Sequence, residues 1–331
     1  MINVEKLSKV FGTHQAVREV SFSVAPHQTL VLLGTSGCGK TTTLKMLNRL
    51  IEPTAGRIFL NGEDIRELPV EQLRRRIGYV IQQTGLFPHY TVAENIAVVP
   101  RLLHWSATQI RQRVDELLTL LGLPVSMAEA YPAQLSGGQQ QRVGIARALA
   151  ADPPVLLLDE PFGALDPITR RQIRQEFRHL DVLQQKSVIL VTHDLMEALE
   201  LGDLICLMDQ GEVQQLGTPR DLIYRPQNDF VRAFFQPHRF QAELHVATLH
   251  DLLPHLPPVA ITEPTTLALP ATTSVQEALE RLEQAARPTP ALRIATTATS
   301  SSHTTRLGLL DAFYRFQAQM AATNESAPSP R

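Results

Sequence analysis

The chain contains 331 residues, enough for about two domains that each bury a core of their own. Hydrophobic residues make up 44% and charged residues 19% of it, which excludes a wholly disordered, collagenous or coiled-coil protein. The formal net charge is only −2, so nothing indicates a protein that binds a polyanion through bulk positive charge, and we expect no nucleic-acid partner.

The N-terminal segment carries charges and contains no apolar stretch of signal-peptide length. The longest apolar runs fall far below the roughly 18–20 residues that span a bilayer. Cys38 and Cys206 are too few for a disulfide framework, and their spacing matches no zinc motif. We therefore expect a protein of the reducing cytoplasm that does not cross a membrane by itself.

Strand-like segments alternate with turn signals along residues 1–85, with one long helical pattern that starts at Lys40. The predicted strands cover residues 2–4, 20–24, 29–33, 57–60 and 77–81. Two helices are predicted within residues 88–150, one spanning positions 110–121 with Gly122 as its stop and one over 139–150. Strand and helix alternate again over 150–225. This order predicts an α/β domain that carries a helical subdomain at about 88–150.

The composition changes beyond about residue 240. The remainder contains no Lys and many Thr and Pro, and residues 296–305 form a polar, low-complexity stretch. We therefore expect a first domain over residues 1–240 and a separate, smaller α+β appendage over residues 241–331.

A glycine-rich loop follows the predicted strand at 29–33. It fits the pattern G-x-x-x-x-G-K-[ST] with Gly34, Thr35, Ser36, Gly37, Cys38, Gly39, Lys40 and Thr41. Glycines let backbone N–H groups curl around phosphate oxygens, Lys40 can reach the β- and γ-phosphates, and the Thr41 hydroxyl can bind Mg²⁺. The loop predicts a nucleoside triphosphate site, and a simple glycine-rich turn is the alternative.

Two further apolar runs end in polar residues: residues 155–158 lead to Asp159 and Glu160, and residues 188–191 lead to Thr192 and His193. Continuous apolar runs are typical of parallel strands buried on both faces, and ligands bind beyond the carboxyl ends of such strands. We expect Asp159 to orient the Mg²⁺ shell and Glu160 to polarise a water molecule. Alternatively, both acids only end the strand and cap the next segment of the chain.

The segment Leu135-Ser136-Gly137-Gly138-Gln139 precedes an apolar helix face. Ser136 and Gln139 have the S-x-x-Q spacing of a capping box, so a well-capped helix is the simplest interpretation. The two glycines leave backbone N–H groups open to an anion, which predicts a second phosphate-contacting helix N-terminus. Because one nucleotide cannot easily use two such ends from one chain, we expect a second copy of the chain to supply the other.

Residues 1–235 strongly resemble the nucleotide-binding subunits of ATP-binding cassette (ABC) transporters. The matching set, in chain order, is the phosphate loop at 34–41, Gln82, LSGGQ at 135–139, VLLLDE at 155–160, Ala164-Leu165-Asp166, and His193. The resemblance implies a P-loop NTPase fold with a RecA-like core, an antiparallel β subdomain and a helical subdomain.

The resemblance also implies ATP and Mg²⁺ as cofactors. Glu160 would be the general base, His193 would contact the γ-phosphate, and Gln82 would contact Mg²⁺ or the attacking water. The implied Mg²⁺ ligands are Thr41, Gln82 and Asp159. The implied nucleotide-binding residues are Phe11, Thr42, Asp166 and the residues of the segments 34–41 and 136–139. Phe11 would stack on adenine, with core packing as the alternative. Asp166 precedes Pro167 and has two compatible roles, a helix N-cap and a dimer contact.

In this family two such chains pair head to tail, with each ATP between the phosphate loop of one chain and segment 136–139 of the other. The implied partners are a second copy of the chain, transmembrane permease subunits and, indirectly, a substrate-binding protein. The implied location is the cytoplasmic face of the inner (plasma) membrane.

Residues 77–105 resemble the branch that imports quaternary amines such as glycine betaine, choline, carnitine and proline betaine. The shared features are VIQQ at 80–83, LFPH at 86–89, NIAVVP at 95–100 and Trp105. The alternatives are import of another small polar solute such as an amino acid or polyamine, a non-transport cassette protein of DNA repair or translation, and a module that holds ATP without hydrolysing it. Glu160 and His193 together argue against the last.

The C-terminal appendage resembles a single cystathionine-β-synthase (CBS) unit in residues 265–269, 274–279 and 307–311, with the polar stretch 296–305 in place of its central strand region. A degenerate remnant and a salt-responsive sensor both remain open. Cys38 likewise has two interpretations, a small filler at a variable position and an oxidation-sensitive thiolate of low pKa beside Lys40.

Overall fold

The computed structural model describes residues 1–82, 85–163, 165–178, 180–256, 267–285, 291–295 and 301–325. Parts of the motifs quoted above, namely residues 83–84, 164, 265–266 and 296–300, lie outside these ranges. The chain divides into two compact units, Met1–Thr218 and Pro219–Arg331. Residues 219–240 thus group with the C-terminal unit, whereas the functional division near residue 240 stays a prediction.

The first unit contains, among its described residues, ten strands and nine α-helices. The strands are β1 (Ile2–Phe11), β2 (His14–Val24), β3 (Thr29–Gly34), β4 (Ala55–Leu60), β5 (Glu63–Asp64), β6 (Ile77–Val80), β7 (Val155–Asp159), β8 (Ser187–Thr192), β9 (Leu204–Asp209) and β10 (Glu212–Gly217). The helices are α1 (Lys40–Leu47), α2 (Val70–Arg75), α3 (Val92–Ile96), α4 (Val98–Leu102), α5 (Ala107–Leu120), α6 (Gly137–Leu149), α7 (Pro167–Arg178), α8 (Asp181–Gln184) and α9 (Leu195–Leu201).

The larger sheet has six strands in the order β10-β9-β3-β8-β7-β6. All neighbouring pairs are parallel except β10 and β9. The interior strands β7 and β8 are buried along their whole length, which confirms the prediction from their continuous apolar runs. Because these strands run parallel, the residues that follow β3, β6, β7 and β8 meet at one edge of the sheet.

The smaller sheet is antiparallel, with the order β2-β1-β4-β5. Its strand β1 extends well beyond the predicted residues 2–4. The register between β1 and β2 shifts after Val4, and Lys6 has a positive φ of 45°. Such bulges change which side chains face the core. The alternation of apolar and polar residues therefore breaks after the first bulge, although the strand continues beyond it.

The helical part of the first unit follows the predicted pattern. Val114, Leu117 and Leu118 of α5 are buried, and Gly122, with a φ of +65°, follows the end of that helix. The short helix α2 was not predicted, because its six residues bury only Leu73 and cannot display a helical period. No helix among the residues that the structure describes combines the length and apolar character needed to cross a bilayer.

The second unit contains six described helices and a three-stranded sheet. The helices are α10 (Pro219–Tyr224), α11 (Asp229–Phe235), α12 (Arg239–Val246), α13 (Leu249–Leu252), α14 (Val275–Gln284) and α15 (Arg306–Glu325). The strands are β11 (Leu267–Pro270), β12 (Leu292–Ala295) and β13 (Ser301–Thr304), in the order β11-β12-β13. Short 3₁₀ turns elsewhere cover Val125–Glu129, Pro132–Gln134, Gln236–His238 and Leu253–His255.

Strand β13 corrects the expectation that the polar stretch 296–305 replaces a strand region. Residues 301–304 pair antiparallel with β12, whose Leu292 and Ile294 are fully buried. The polar segment gains its strand conformation from hydrogen bonds to this apolar neighbour, so its own composition gives no strand signal.

Candidate active site

The phosphate loop joins β3 to α1 and packs closely against two other strands. A Cβ atom at Gly34 would lie 2.1 Å from the carbonyl oxygen of Met208, and one at Gly39 would lie 2.4 Å from that of Ala16. No side chain fits at either position, so the close approach requires glycine at both ends of the loop. The exposed crest of the loop consists of Thr35, Ser36 and Gly37.

Lys40 begins α1 and is only 5% exposed. Its Nζ donates hydrogen bonds to the carbonyl oxygens of Gly34 at 2.9 Å and Thr35 at 2.8 Å. The ammonium group therefore lies across the loop. There it can donate hydrogen bonds to the oxygens of a bound phosphate in place of the two carbonyls. Thr42 follows in the first turn of α1 and is half-buried.

Cys38 lies inside the phosphate loop and is only 2% exposed. Its Sγ lies 3.7 Å from Nζ of Lys40. Burial raises the pKa of the thiol above its ordinary value and outweighs the opposing effect of the lysine charge. This direction contradicts the low-pKa thiolate and agrees with a small, buried filler.

Asp159 ends β7 and is 3% exposed. The hydroxyl Oγ1 of Thr41 donates a 2.8 Å hydrogen bond to its Oδ1. Burial raises the pKa of this carboxyl above its ordinary value, and the hydrogen bond from Thr41 opposes that effect. A hydroxyl and a carboxylate at one point suit Mg²⁺, which takes few protein oxygens and completes its shell with phosphate and water.

Glu160 follows Asp159 in a strained backbone conformation. Its φ of +45° is uncommon for a residue with a side chain. Two hydrogen bonds hold this conformation: the Glu160 N–H donates to Val191 at 2.9 Å, and the Gly163 N–H donates to the Glu160 carbonyl at 3.1 Å. Strain of this kind clusters at functional sites.

The carboxylate of Glu160 lies between Gln82 and His193. Nε2 of Gln82 donates to Oε2 of Glu160 at 3.0 Å, and Nδ1 of His193 lies 3.2 Å from Oε1. The three side chains follow β6, β7 and β8 in turn, so the parallel sheet brings together the residues that were predicted as catalytic. Their positions beside the Thr41–Asp159 pair form one polar edge.

Asp209 is a polar residue at this edge that the sequence analysis did not single out. Its Oδ1 accepts a 3.1 Å hydrogen bond from Oγ1 of Thr35 in the phosphate loop. The pattern that pointed to Asp159 and His193 is a polar residue at the end of an apolar strand. The same pattern could have identified Asp209. Asp209 ends β9 in the same way.

Segment 136–139 begins α6 with the predicted capping box. Oγ of Ser136 accepts from the N–H of Gln139 at 3.3 Å, and Oε1 of Gln139 accepts from the N–H of Ser136 at 2.9 Å. A Cβ atom at Gly138 would lie 3.1 Å from the side chain of Thr169 in α7, and Gly137 faces Leu165. The segment thus packs near α7 within its own chain, and it keeps helix N–H groups at an exposed surface.

Phe11 ends β1, and the residue is 46% exposed. Nζ of Lys9 lies 5.0 Å from the ring centroid. This exposure rules out core packing as the role of the ring. A flat, accessible aromatic face is what stacking on a base requires, and that role stays a prediction.

Asp166 caps α7. Its Oδ1 accepts from the N–H of Ile168 at 3.2 Å and from that of Thr169 at 3.1 Å, with Pro167 as the first helical residue. The hydrogen bonds from Thr169 and Ile168 hold the pKa of the carboxyl below its ordinary value. The predicted N-cap is confirmed, and the predicted dimer contact of this residue stays a prediction.

Comparison with known proteins places this geometry in a family. The family model described as "ABC transporter" matches residues 17–163. The glycine betaine uptake system ATP-binding protein YehX of Escherichia coli (strain K12) is 56% identical over 235 residues, which cover 71% of this chain and 76% of that protein. The chain belongs to the ABC transporter family.

Another relative and a solved structure agree with this assignment. The choline transport ATP-binding protein OpuBA of Bacillus subtilis (strain 168) is 47% identical over 81% of this chain and 71% of its own length. A dimeric structure of a post-hydrolysis state of the ATP-binding cassette MJ0796, bound to ADP and Pi, matches with 33% identity and a TM-score of 0.60 over 66% of this chain and 98% of that one. As an ABC cassette, this chain has the P-loop NTPase fold, which confirms the fold prediction.

Proposed function

We propose that the chain is the ATP-hydrolysing subunit of an importer for quaternary amine osmoprotectants. The observation that carries the catalytic part is the Glu160 carboxylate, which accepts a hydrogen bond from Gln82 and lies 3.2 Å from Nδ1 of His193, beside the Thr41–Asp159 pair. Four separate strand ends converge on this edge of the sheet. A buried lysine next to them supplies the charge that a triphosphate needs.

Mg²⁺ fits the donor set at this edge. Thr41 and Asp159 would hold it, with Gln82 as the further ligand predicted from the family pattern. When bound, the ion supplies charge neutralisation and orientation of the β- and γ-phosphates. The chain's own part is to keep a hydroxyl and a buried carboxylate within 2.8 Å of each other.

In the hydrolytic step Glu160 accepts a proton from the attacking water on a carboxylate oxygen. Gln82 and His193 hold that carboxylate in place from either side, so its oxygens do not need to reorganise as the water is deprotonated. His193 is 54% exposed through its side chain and can also donate to the γ-phosphate. Lys40 stabilises the charge on the β- and γ-phosphates.

A second copy of the chain would complete each site. Within segment 136–139, Ser136 and Gln139 are hydrogen-bonded to each other, and the glycines of the segment lie near α7 and the residues just before it. The phosphate loop instead contacts β2 and β9, so the two elements have different neighbours within the chain. The exposed helix N-terminus at Ser136 is therefore available to a phosphate held by another copy. The solved cassette that this chain resembles is dimeric, which supports a pair of copies.

The membrane partner would be a permease that docks beside Gln82. Two aromatic side chains, Phe87 and Tyr90, are 47% and 42% exposed and lie 5.2 Å apart between ring centroids. The buried amide of Asn95 fixes their loop: it accepts from the N–H of Phe87 at 2.8 Å and donates to the Phe87 and Tyr90 carbonyls at 3.1 Å. An exposed aromatic pair on a rigid loop suits a protein interface. Such docking would place the chain at the cytoplasmic face of the inner membrane, with a substrate-binding protein acting on the permease.

The substrate class rests on the relatives. Both named relatives are transport ATP-binding proteins, one for glycine betaine and one for choline. The part of the chain that would contact the permease contains the VIQQ, LFPH and NIAVVP segments and Trp105. These residues therefore indicate which kind of permease the chain fits. We therefore assign uptake of quaternary amines.

The C-terminal unit would regulate this activity. Strand β11 and helices α14 and α15 cover the described residues that resemble a CBS unit, and Ser274 caps α14 by accepting a 3.2 Å hydrogen bond from the N–H of Glu277. A working sensor makes uptake depend on ionic strength, whereas a remnant leaves uptake indifferent to it. Uptake measured at low and high salt with the full chain and with a chain that lacks residues 241–331 separates the two.

Hydrolysis of ATP by the purified full-length chain tests the catalytic proposal. Wild type is expected to release phosphate from ATP, and Glu160→Gln is expected to bind ATP with unchanged affinity while its turnover falls at least about a hundredfold. Glu71→Gln, an exposed change on α2, is the matched control and keeps wild-type turnover. Unchanged turnover in Glu160→Gln would remove that residue from its role.

A further inference from the structure

Arg170 of α7 contacts the loop that follows Glu160. Its guanidinium donates to three backbone carbonyls of that loop: Nε to Phe162 at 3.1 Å, and Nη2 to Gly163 at 3.2 Å and to Leu165 at 2.9 Å. A planar guanidinium carries its donors on three separate nitrogens, so it reaches acceptors that lie too far apart for the three donors on the single nitrogen of a lysine ammonium. The loop is thereby tied to the first turn of α7.

The same guanidinium faces the loop that carries His193. Nη1 of Arg170 lies 3.8 Å from Oδ2 of Asp194, the residue directly after His193. Oδ1 of Asp194 caps α9 by accepting from the N–H groups of Met196 at 2.8 Å and Glu197 at 3.1 Å. One side chain therefore contacts both loops whose residues, Glu160 and His193, lie 3.2 Å apart.

The loop after Glu160 needs such support because its backbone is strained. Glu160 has a φ of +45°, and the turn that holds it closes through the Gly163 N–H. A conformation of this kind persists only where the surrounding contacts determine it. Arg170 donates to the carbonyls of Phe162 and Gly163 in that same turn, so it helps to fix the turn.

We propose that Arg170 is a positioning residue for ATP hydrolysis, which holds the Glu160 carboxylate in register with His193. The inference rests on the proposed function, because it concerns the rate of the hydrolytic step. Arg174, one turn further along α7, pairs with Asp194 at 3.4 Å and with Glu200 at 3.1 Å. The bonds to the Glu160 turn come from Arg170, so Arg174 cannot replace it there.

Steady-state ATP hydrolysis by the full-length chain tests the proposal. Arg170→Met and Arg170→Lys are compared with wild type and with Arg178→Met, a matched change at the exposed end of α7. We expect kcat to fall about ten- to a hundredfold in both Arg170 variants while KM for ATP stays within about threefold, because the base is misplaced and the phosphate loop is intact. Arg170→Lys keeps the charge near Asp194, so its failure to restore kcat assigns the effect to the carbonyl contacts.

Circular dichroism and binding of a fluorescent ATP analogue separate positioning from folding. The proposal is overturned if kcat of folded Arg170→Lys stays within about twofold of wild type, or if kcat and ATP affinity fall together in proportion to the folded fraction. Arg170→Lys decides alone if Arg170→Met does not fold. If the wild type does not hydrolyse ATP, the proposed function is rejected. If the wild type and the Arg170 variants are all active, only the role of Arg170 is rejected.

Discussion

Oγ1 of Thr41 donates a 2.8 Å hydrogen bond to Oδ1 of Asp159, and this bond joins residues that are 118 positions apart in the sequence. Thr41 lies in the first turn of α1, directly after the phosphate loop, and Asp159 ends β7. Strand β8 lies between β3 and β7 in the sheet, so the pair spans one intervening strand. The sheet thus brings a hydroxyl and a carboxylate to the same point.

The first prediction concerns this pair and Mg²⁺. Asp159→Asn keeps the shape of the side chain and removes its charge, so the Mg²⁺ concentration that supports half-maximal ATP hydrolysis is expected to rise about tenfold or more. A magnesium titration of hydrolysis at saturating ATP measures it. Asp115→Asn on α5 serves as the control, and an unshifted titration in Asp159→Asn would show that the carboxylate does not hold the ion.

The second prediction concerns the shared site. Lys40→Ala removes the charge from the phosphate loop, and Ser136→Arg blocks the helix N-terminus that we propose faces the second copy. Each variant alone is expected to be inactive. After mixing and random reassociation, about a quarter of the sites combine an intact loop with an intact Ser136, so hydrolysis should return to at most about that fraction of wild type.

Phosphate release from the mixture, compared with each variant alone, measures this recovery. The recovered rate should depend on the square of the protein concentration where the dimer dissociates. A mixture no more active than its components would place both elements in the same chain's site.

The third prediction concerns Glu197, which is 3% exposed in α9. Burial is the main cause that raises the pKa of this carboxyl from 4.5 to about 8, although Oγ1 of Thr192 donates to it at 2.9 Å. Between these two values the folded chain keeps a proton that the unfolded chain releases. The contribution of this protonated carboxyl to the free energy of unfolding is therefore fully present below about pH 4.5, and it is lost as the pH rises through about 8.

Replacement of Glu197 by Gln removes this titration. The free energy of unfolding of Glu197→Gln is expected to depend less steeply on pH between 5 and 8 than that of wild type, by at most about 1.4 kcal/mol per pH unit. Urea unfolding at several pH values measures both slopes, with Glu71→Gln as the control. Parallel slopes for wild type and Glu197→Gln would show that the carboxyl is ionised in the folded chain.

The fourth prediction concerns Cys38. Its burial and its raised pKa keep the fraction of thiolate small, so N-ethylmaleimide should modify it at least about tenfold more slowly than a free cysteine at pH 7.5. Mass spectrometry of the folded and the urea-unfolded chain compares the rates, and Cys38→Ala should keep ATP hydrolysis. Fast modification with loss of ATP binding would instead support a redox-sensitive loop.

Local signals predicted much of the fold and of the site. The phosphate loop, the buried strands β7 and β8 and the capping box at Ser136 each depend on residues close in sequence, and the structure contains all three. The convergence of Gln82, Glu160 and His193 could be expected because parallel strands share one carboxyl edge.

Other features left no local signal. Arg170 binds backbone carbonyls, which every residue presents, so nothing in the sequence distinguishes the positions that it contacts. Strand β13 depends on its neighbour β12, and the bulges in β1 break the alternation that a strand is expected to show. The exposure of Phe11 likewise follows from the tertiary position of the end of β1.

Uptake by living cells tests the central claim most directly. Accumulation of radiolabelled glycine betaine, choline and carnitine is compared between cells that carry the wild-type gene and cells that carry Glu160→Gln, with Glu71→Gln as the matched control. The account predicts that at least one of these amines accumulates in wild-type and Glu71→Gln cells and that Glu160→Gln abolishes this uptake. Equal uptake of all three amines in wild-type and Glu160→Gln cells would contradict it.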